Sequence, residues 1–226
     1  MFSRSVSTLA AIALFGILLG PRPASSQASP IQNGSAVKQR KSTKSEVQLQ
    51  HARERALSIL REENACSVWF RETDPDAAAI FESLKIEIGR KNQEYVLRMT
   101  DARGEHSYKH PWGARSNQLA GRGSLVEVNP QGPFFVLSLP VVDAGAGGPF
   151  RFYEGTRLLT VGGFPGDSSE AQIAILLHEL AHVIGRVPED DDSWDGRSGR
   201  NTEEVLRNCR GEIRDYAQQR SLRAAN

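Results

Sequence analysis

The chain has 226 residues, 39% of them hydrophobic and 24% charged, a composition that excludes a fibrous or wholly disordered protein and suits one domain with a single core. Its 28 lysines and arginines nearly balance its 27 aspartates and glutamates. No global field therefore points to nucleic acid or to an anionic membrane as partner.

The N-terminus reads MFSRSVSTLAAIALFGILLGPRPASSQASP, with Arg4 ahead of an apolar run from Val6 to Leu19 and a polar stretch offering Ser26, Gln27 and Ala28. This reads as a secretory signal peptide over residues 1–28, cut after Ala28, and implies a secreted or periplasmic protein. The run is short against the ~20 residues that cross a bilayer, so no stable membrane insertion is expected after cleavage; an uncleaved anchor is the alternative. Residues 29–45, rich in Ser, Gly, Lys and Gln, read as a disordered linker. The functional domain is expected over 46–226. Its only cysteines are Cys66 and Cys209. In an exported chain these suggest a disulfide, worth roughly 4 to 5 kcal/mol in the chain-entropy model. Two buried free thiols are the other possibility.

A first helix is predicted from about Ser45, with Val47, Ala52, Ala56, Ile59 and Leu60 at helical spacing and a capping box from Thr43 with Glu46 or Ser45 with Gln48. His51 is expected to be an exposed residue of it. The helix should end near ENACSVWF, where Cys66, Trp69 and Phe70 pin it to the core. Asp74 as N-cap and Pro75 at the first helical position predict a short second helix over AAAIFESL. Beyond it the period shifts towards two. KIEI, EYVLRM, SLVEVN, FFVLSL, FRFY and RLLTV, separated by turns such as DARG, NPQG and AGAGG, predict a small, mostly antiparallel sheet of four to six strands.

The last third turns helical again. One helix is predicted from Asp167 or Ser168 to Gly185, with a capping box between Asp167 and Glu170 and a left-handed cap at Gly185. A closing helix from Asn201 or Thr202 should carry Val205, Leu206, Cys209, Ile213 and Tyr216 inward, after the polar loop RVPEDDDSWDGRSGR. The expected fold class is α+β, a small sheet packed against these two helices.

The segment His178, Glu179, Leu180, Ala181, His182 has the HExxH pattern. Histidines four apart stand one turn above each other on a helix, so both imidazoles reach one ion. Zn2+ accepts imidazole nitrogen and, at a catalytic site, keeps one position open for water. Glu179 beside the pair is placed to act as general base on that water, whose pKa the ion lowers towards ~7. The surrounding positions Ile173, Leu176, Leu177, Leu180 and Ile184 are apolar on all sides of the helix, which marks a core element. Burying two histidines and a glutamate there has a desolvation cost that a metal would offset. The plainer reading is three residues hydrogen-bonded in an ordinary core helix.

From about Arg157 to the end the chain resembles the zincin superfamily of HExxH metallopeptidases. The resemblance implies a zincin-like α+β fold with an antiparallel-edged sheet over the motif helix, a zinc cofactor, and hydrolysis of a peptide or protein substrate, with RLLTV as a rim for an extended chain. Against the metzincin pattern HExxHxxGxxH, this sequence keeps Gly185 but has Pro188 at the last histidine. The third ligand is therefore open. Glu189, Asp190, Asp191 and Asp192 follow, and Asp190 is the first choice by reach; the gluzincin arrangement points instead to Glu203, with Glu204 a weaker variant. All these acids could equally be a solvated loop and a helix start that favours negative charge. The tail, HELAHVIGRVP followed by NTEEVLRNC, also resembles small secreted bacterial HExxH proteins, which favours the aspartate and makes Asn201, Thr202 and Cys209 framework.

His106, His110 and Tyr153 could line a cleft or bind a developing oxyanion, or could be loop and strand surface. The sequence thus leads to a secreted zinc-dependent hydrolase, a metallopeptidase with Glu179 as base. The alternative is a non-catalytic secreted zinc-binding or interaction module on the same fold. Glu179 favours catalysis, since a structural zinc site has no use for that carboxylate. The short chain, without a second domain, favours the module.

Overall fold

The computed structural model describes residues 42–90, 95–101, 104–145, 151–190 and 196–223, of which 95–101, 104–110, 141–145, 151–155 and 219–223 are described by their backbone alone. Helix α1 spans Lys44–Arg61. Thr43 opens it, its hydroxyl oxygen accepting the Glu46 N–H (3.2 Å) while Glu46 Oε2 accepts the Thr43 N–H (2.7 Å). This is the first of the two expected capping boxes. Leu49, Ala52, Ala56, Ile59 and Leu60 form its buried stripe, and His51 is half-exposed beside Glu54.

The ENACSVWF segment forms a helix of its own, α2 (Ala65–Arg71), where only the end of α1 was expected. Asn64 accepts the Ser67 N–H at 2.8 Å and Ser67 Oγ accepts the Asn64 N–H at 3.2 Å, a second capping box that restarts the chain after α1. Helix α3 spans Ala77–Ser83, two residues later than Asp74 and Pro75 suggested. The Asp74 carboxylate accepts the Asp76 N–H (2.8 Å) in a turn before the helix, so it does not cap it.

The strands form three small sheets where one was expected. In the first, β1 (Lys85–Ile88), β5 (Leu125–Val128) and β4 (Ala114–Ser116) lie in the order β1-β5-β4. The β1–β5 pair is parallel and the β4–β5 pair antiparallel. A parallel pair needs a long crossover, and the chain between β1 and β5 supplies it. In β5, Val126 and Val128 turn into the core while Leu125 faces out. The second sheet is wholly antiparallel, β2 (Tyr95–Asp101), β3 (Gly104–His110), β6 (Ser138–Gly145) and β7 (Arg151–Leu158), in the order β2-β3-β6-β7. Phe134 and Phe135, read from FFVLSL as strand, lie in turns ahead of β6. The third is a hairpin of β8 (Thr160–Val161) and β9 (Phe164–Pro165). Gly162 and Gly163 supply the two positive φ angles, 52° and 85°, that a two-residue hairpin turn of this hand needs.

Helix α4 (Ser169–Val183) runs through the centre of the core, every residue from Ala171 to Val183 buried. Its cap is Ser168, which accepts the Ala171 N–H (3.1 Å). Asp167 instead takes a left-handed φ of 57° and its carboxylate accepts from Gln48 Nε2 (2.8 Å), so the expected Asp167–Glu170 box gives way to a tie to α1. Gly185 closes the helix at φ 73°, as its glycine signalled. Helix α5 spans Arg197–Arg223 and starts four residues ahead of Asn201. Ser198 and Gly199 have weak helix propensity, and the helix includes them all the same. Val205, Leu206, Cys209 and Ile213 are buried and Tyr216 partly so. A disulfide joins Cys66 on α2 to Cys209 on α5. Among the described residues no helix is long and apolar enough to cross a membrane.

Candidate metal centre

The last turns of α4 carry the motif, and three neighbours close around it. Leu180 and Ala181 are fully buried, so the motif's polar residues face the remaining sector of the helix. Strand β4 lies against that sector. It is held there by the loop that follows, whose Leu119 and Gly121 N–H groups donate to the carbonyls of His182 (3.0 Å) and Val183 (3.3 Å). The Val183 carbonyl is one that a helix C-terminus leaves without an intrahelical partner, while that of His182 also accepts from the Gly185 N–H (2.9 Å). Beyond Gly185 the chain turns back through Pro188 and brings Asp190 over the helix. Helix α5 covers the far side.

His178 and His182 point their Nε2 atoms at each other, 2.9 Å apart. Asp190 Oδ2 stands 3.0 Å from His178 Nε2, and its Oδ1 3.4 Å from His182 Nε2. Of the acids proposed from the sequence, Asp190 is the one the structure brings to the pair, and His178, His182 and Asp190 form a group that could hold a metal ion. Glu203 lines the same cleft, but its Oε2 accepts from Arg210 Nη2 at 3.2 Å. Glu189 and Glu204 border the cleft without joining the group. Asp191 and Asp192 lie outside the described residues. His106 and His110 fall on β3 and Tyr153 on β7, where the backbone alone is described.

The donor set fits a zinc ion. Two imidazole nitrogens and a carboxylate oxygen are ligands of the kind zinc takes, and bonds of ~2.0 to 2.1 Å place tetrahedral donors about 3.3 Å apart, within the range seen here. Without a cation, two facing Nε2 lone pairs and a carboxylate repel unless protons sit between them. In the metal-free protein a proton on His178 relieves that repulsion. Burial pushes the His178 pKa down, but its hydrogen bond to Asp190 and the charges of Glu179 and Asp190 outweigh it and hold it above its ordinary value. Asp190 is 32% exposed. Burial pushes its carboxyl up, yet hydrogen bonds from the two histidines hold it well below the usual carboxylate range. His182 Nδ1 is buried with no hydrogen-bond partner among the described residues.

Glu179 is 4% exposed, and its Oε2 accepts a 2.7 Å hydrogen bond from Ser116 Oγ on β4. Desolvation raises its pKa, against the pull of the two histidines and of the Ser116 hydroxyl. Nothing in the sequence signalled Ser116, a lone serine 63 residues from its partner. Two residues of α5 stand behind the donors. Asn201 Nδ2 donates to Asp190 Oδ1 (2.6 Å) and to Pro188 O (2.9 Å), and Thr202 Oγ1 lies 3.1 Å from His178 Nδ1. The site opens into a cleft of about 1200 Å3. Its floor is Ile175, His178, Glu179 and His182; β4 forms one wall, the start of α5 the other, and Thr160–Gly162 border it as well.

Compared with known protein families, with characterised proteins and with solved structures, the chain matches none of them.

Proposed function

We propose that this chain is an exported zinc-dependent hydrolase of the zincin type, acting on peptide bonds. One observation carries this reading. A buried carboxylate, Glu179, is anchored through a single oxygen beside three converging donors, on the floor of an open cleft. A site built only to bind metal has no use for that carboxylate.

His178, His182 and Asp190 would hold the ion. Bound zinc supplies Lewis acidity towards a carbonyl oxygen and makes water more acidic. Ser116 fixes Glu179 Oε2 and leaves Oε1 with no hydrogen bond among the described residues, so Oε1 is the atom placed to take a proton from water. Burial makes that carboxylate a stronger base and brings it closer to neutral pH, where general-base catalysis works best. The walls suit an extended chain. Among the described residues β4 pairs only with β5, so its other edge is open at the cleft, and a peptide can add to it as a strand. The cleft is also larger than a typical small-molecule pocket of ~300 to 1,000 Å3. The Cys66–Cys209 bridge suits the oxidising compartment to which the expected signal peptide would deliver the chain.

The test is zinc stoichiometry of the purified protein together with hydrolysis of a mixed peptide library by wild type and Glu179→Gln. Metal retained by both, with cleavage falling about 100-fold or more in the variant, supports the reading. Metal bound with no cleavage by either makes the protein a zinc-binding module, and absence of metal would sink both.

A further inference from the structure

We propose that Asn201 and Thr202, consecutive residues on α5, are positioning residues that set how tightly the His178–His182–Asp190 group holds zinc. The inference rests on the metal reading above and extends it to residues that touch no ion. Consecutive residues on a helix are rotated by about 100°, so one turn of α5 reaches two different donors. Thr202 backs His178, and Asn201 backs Asp190.

Asp190 needs such support because it sits on the irregular turn after α4 and is partly exposed. Asn201 is buried and uses its amide nitrogen twice, donating to Asp190 Oδ1 and to Pro188 O. It therefore fixes both the carboxylate and the backbone that carries it.

The Thr202 hydroxyl is placed to accept from His178 Nδ1–H, the tautomer that metal binding requires. When Nδ1–H donates to Thr202 Oγ1, the Nε2 lone pair is left facing His182 and Asp190, as a ligand requires. The opposite tautomer would place a proton on Nε2 and make an ordinary buried histidine–aspartate hydrogen bond. The buried Val205, Leu206 and Cys209 on the following turns of α5 fix the helix that presents both groups. Hydrogen bonds of this kind behind a ligand typically change metal affinity by about 10- to 100-fold.

The experiment uses the full chain with its disulfide intact. Zinc affinity is measured by competition with a chromophoric chelator, the geometry of the site by the visible spectrum of the cobalt(II)-loaded protein, and stability by melting of the metal-free protein. Thr202→Val and Asn201→Ala are each expected to weaken zinc about 10- to 100-fold and to alter the cobalt spectrum; metal-free melting should stay close to wild type in Thr202→Val and fall in Asn201→Ala, which also removes two buried hydrogen bonds. Thr202→Ser keeps the hydroxyl and should restore wild-type affinity. Unchanged affinity with lowered metal-free melting would make the two residues a structural staple and overturn the proposal. Should Asn201→Ala not fold, Thr202→Val and Thr202→Ser carry the test, being close to the native shape. If wild type takes up no zinc, the metal reading itself fails; if wild type binds and the variants match it, only this inference falls.

Discussion

At the scale of single residues, the two acids that competed from the sequence now make different predictions. Asp190→Ala removes one of three converging donors and should lower zinc affinity sharply, whereas Glu203→Ala loses only a contact to Arg210 and should leave it unchanged. Chelator competition on the two variants separates them, and a loss at Glu203 would reverse the assignment. The titrations add a prediction in pH. The raised pKa of His178 favours the metal-free fold fully below about pH 6.5, and that contribution is lost as pH rises through the raised value. The lowered pKa of Asp190 favours it above about pH 3.8, and that contribution is lost only in stronger acid. The pair therefore supports the metal-free protein most between these limits. Zinc needs neutral imidazoles, so protons compete with it in that same window. The rise in Tm on adding zinc should be small at pH 5 and large at pH 8; a rise independent of pH would contradict the histidine ligands.

At the scale of elements, α4 shows how a local signal and its tertiary outcome can part. Both Asp167 and Ser168 are good N-cap types, and the sequence alone does not rank them. In the folded chain Ser168 caps the helix and Asp167 reaches across to Gln48 on α1. Ser168→Ala should therefore cost about 1 kcal/mol, and Asp167→Asn, which suits the left-handed φ of that position and changes only an exposed side-chain contact, within about 0.5 kcal/mol. Denaturant unfolding of the two variants gives the comparison. The C-terminal end of α4 depends on another element for its partners. Leu119, in the loop after β4, adopts a left-handed φ of 56° to bring its N–H to the His182 carbonyl, a conformation that is uncommon for a large side chain. The same loop keeps Ser116 over Glu179, so helix termination and placement of the base share one piece of structure.

At the scale of the whole molecule, the Cys66–Cys209 bridge links residues 143 apart in the chain. It fastens α2 to α5, the helix that backs the metal donors. Replacing both cysteines by serine should cost about 4 to 5 kcal/mol by loss of the constraint on the unfolded chain. For a domain of this size that corresponds to a fall in Tm of roughly 10 to 20 °C, readable by calorimetry with and without the bridge. One core joins the five helices of the described residues to the inward face of β5. Helix α4 lies at its centre, which explains why its motif residues are buried while the cleft above them stays open.

The sequence by itself determined the motif helix, its stop at Gly185 and the α+β class, and narrowed the cap of α1 to two candidate boxes, because each depends on residues within about one helical turn or on strand alternation. It also supplied the two cysteines that meet. Only the tertiary structure decided that Asp190 stands beside the histidines while Glu203 turns to Arg210, that Ser116 grips Glu179, that β1 and β5 run parallel, and that α5 begins at Arg197. Those outcomes depend on where distant segments pack. A carboxylate or a hydroxyl looks the same in sequence whether it faces solvent or a buried histidine, and the packing of α4, α5 and β4 is what distinguishes them.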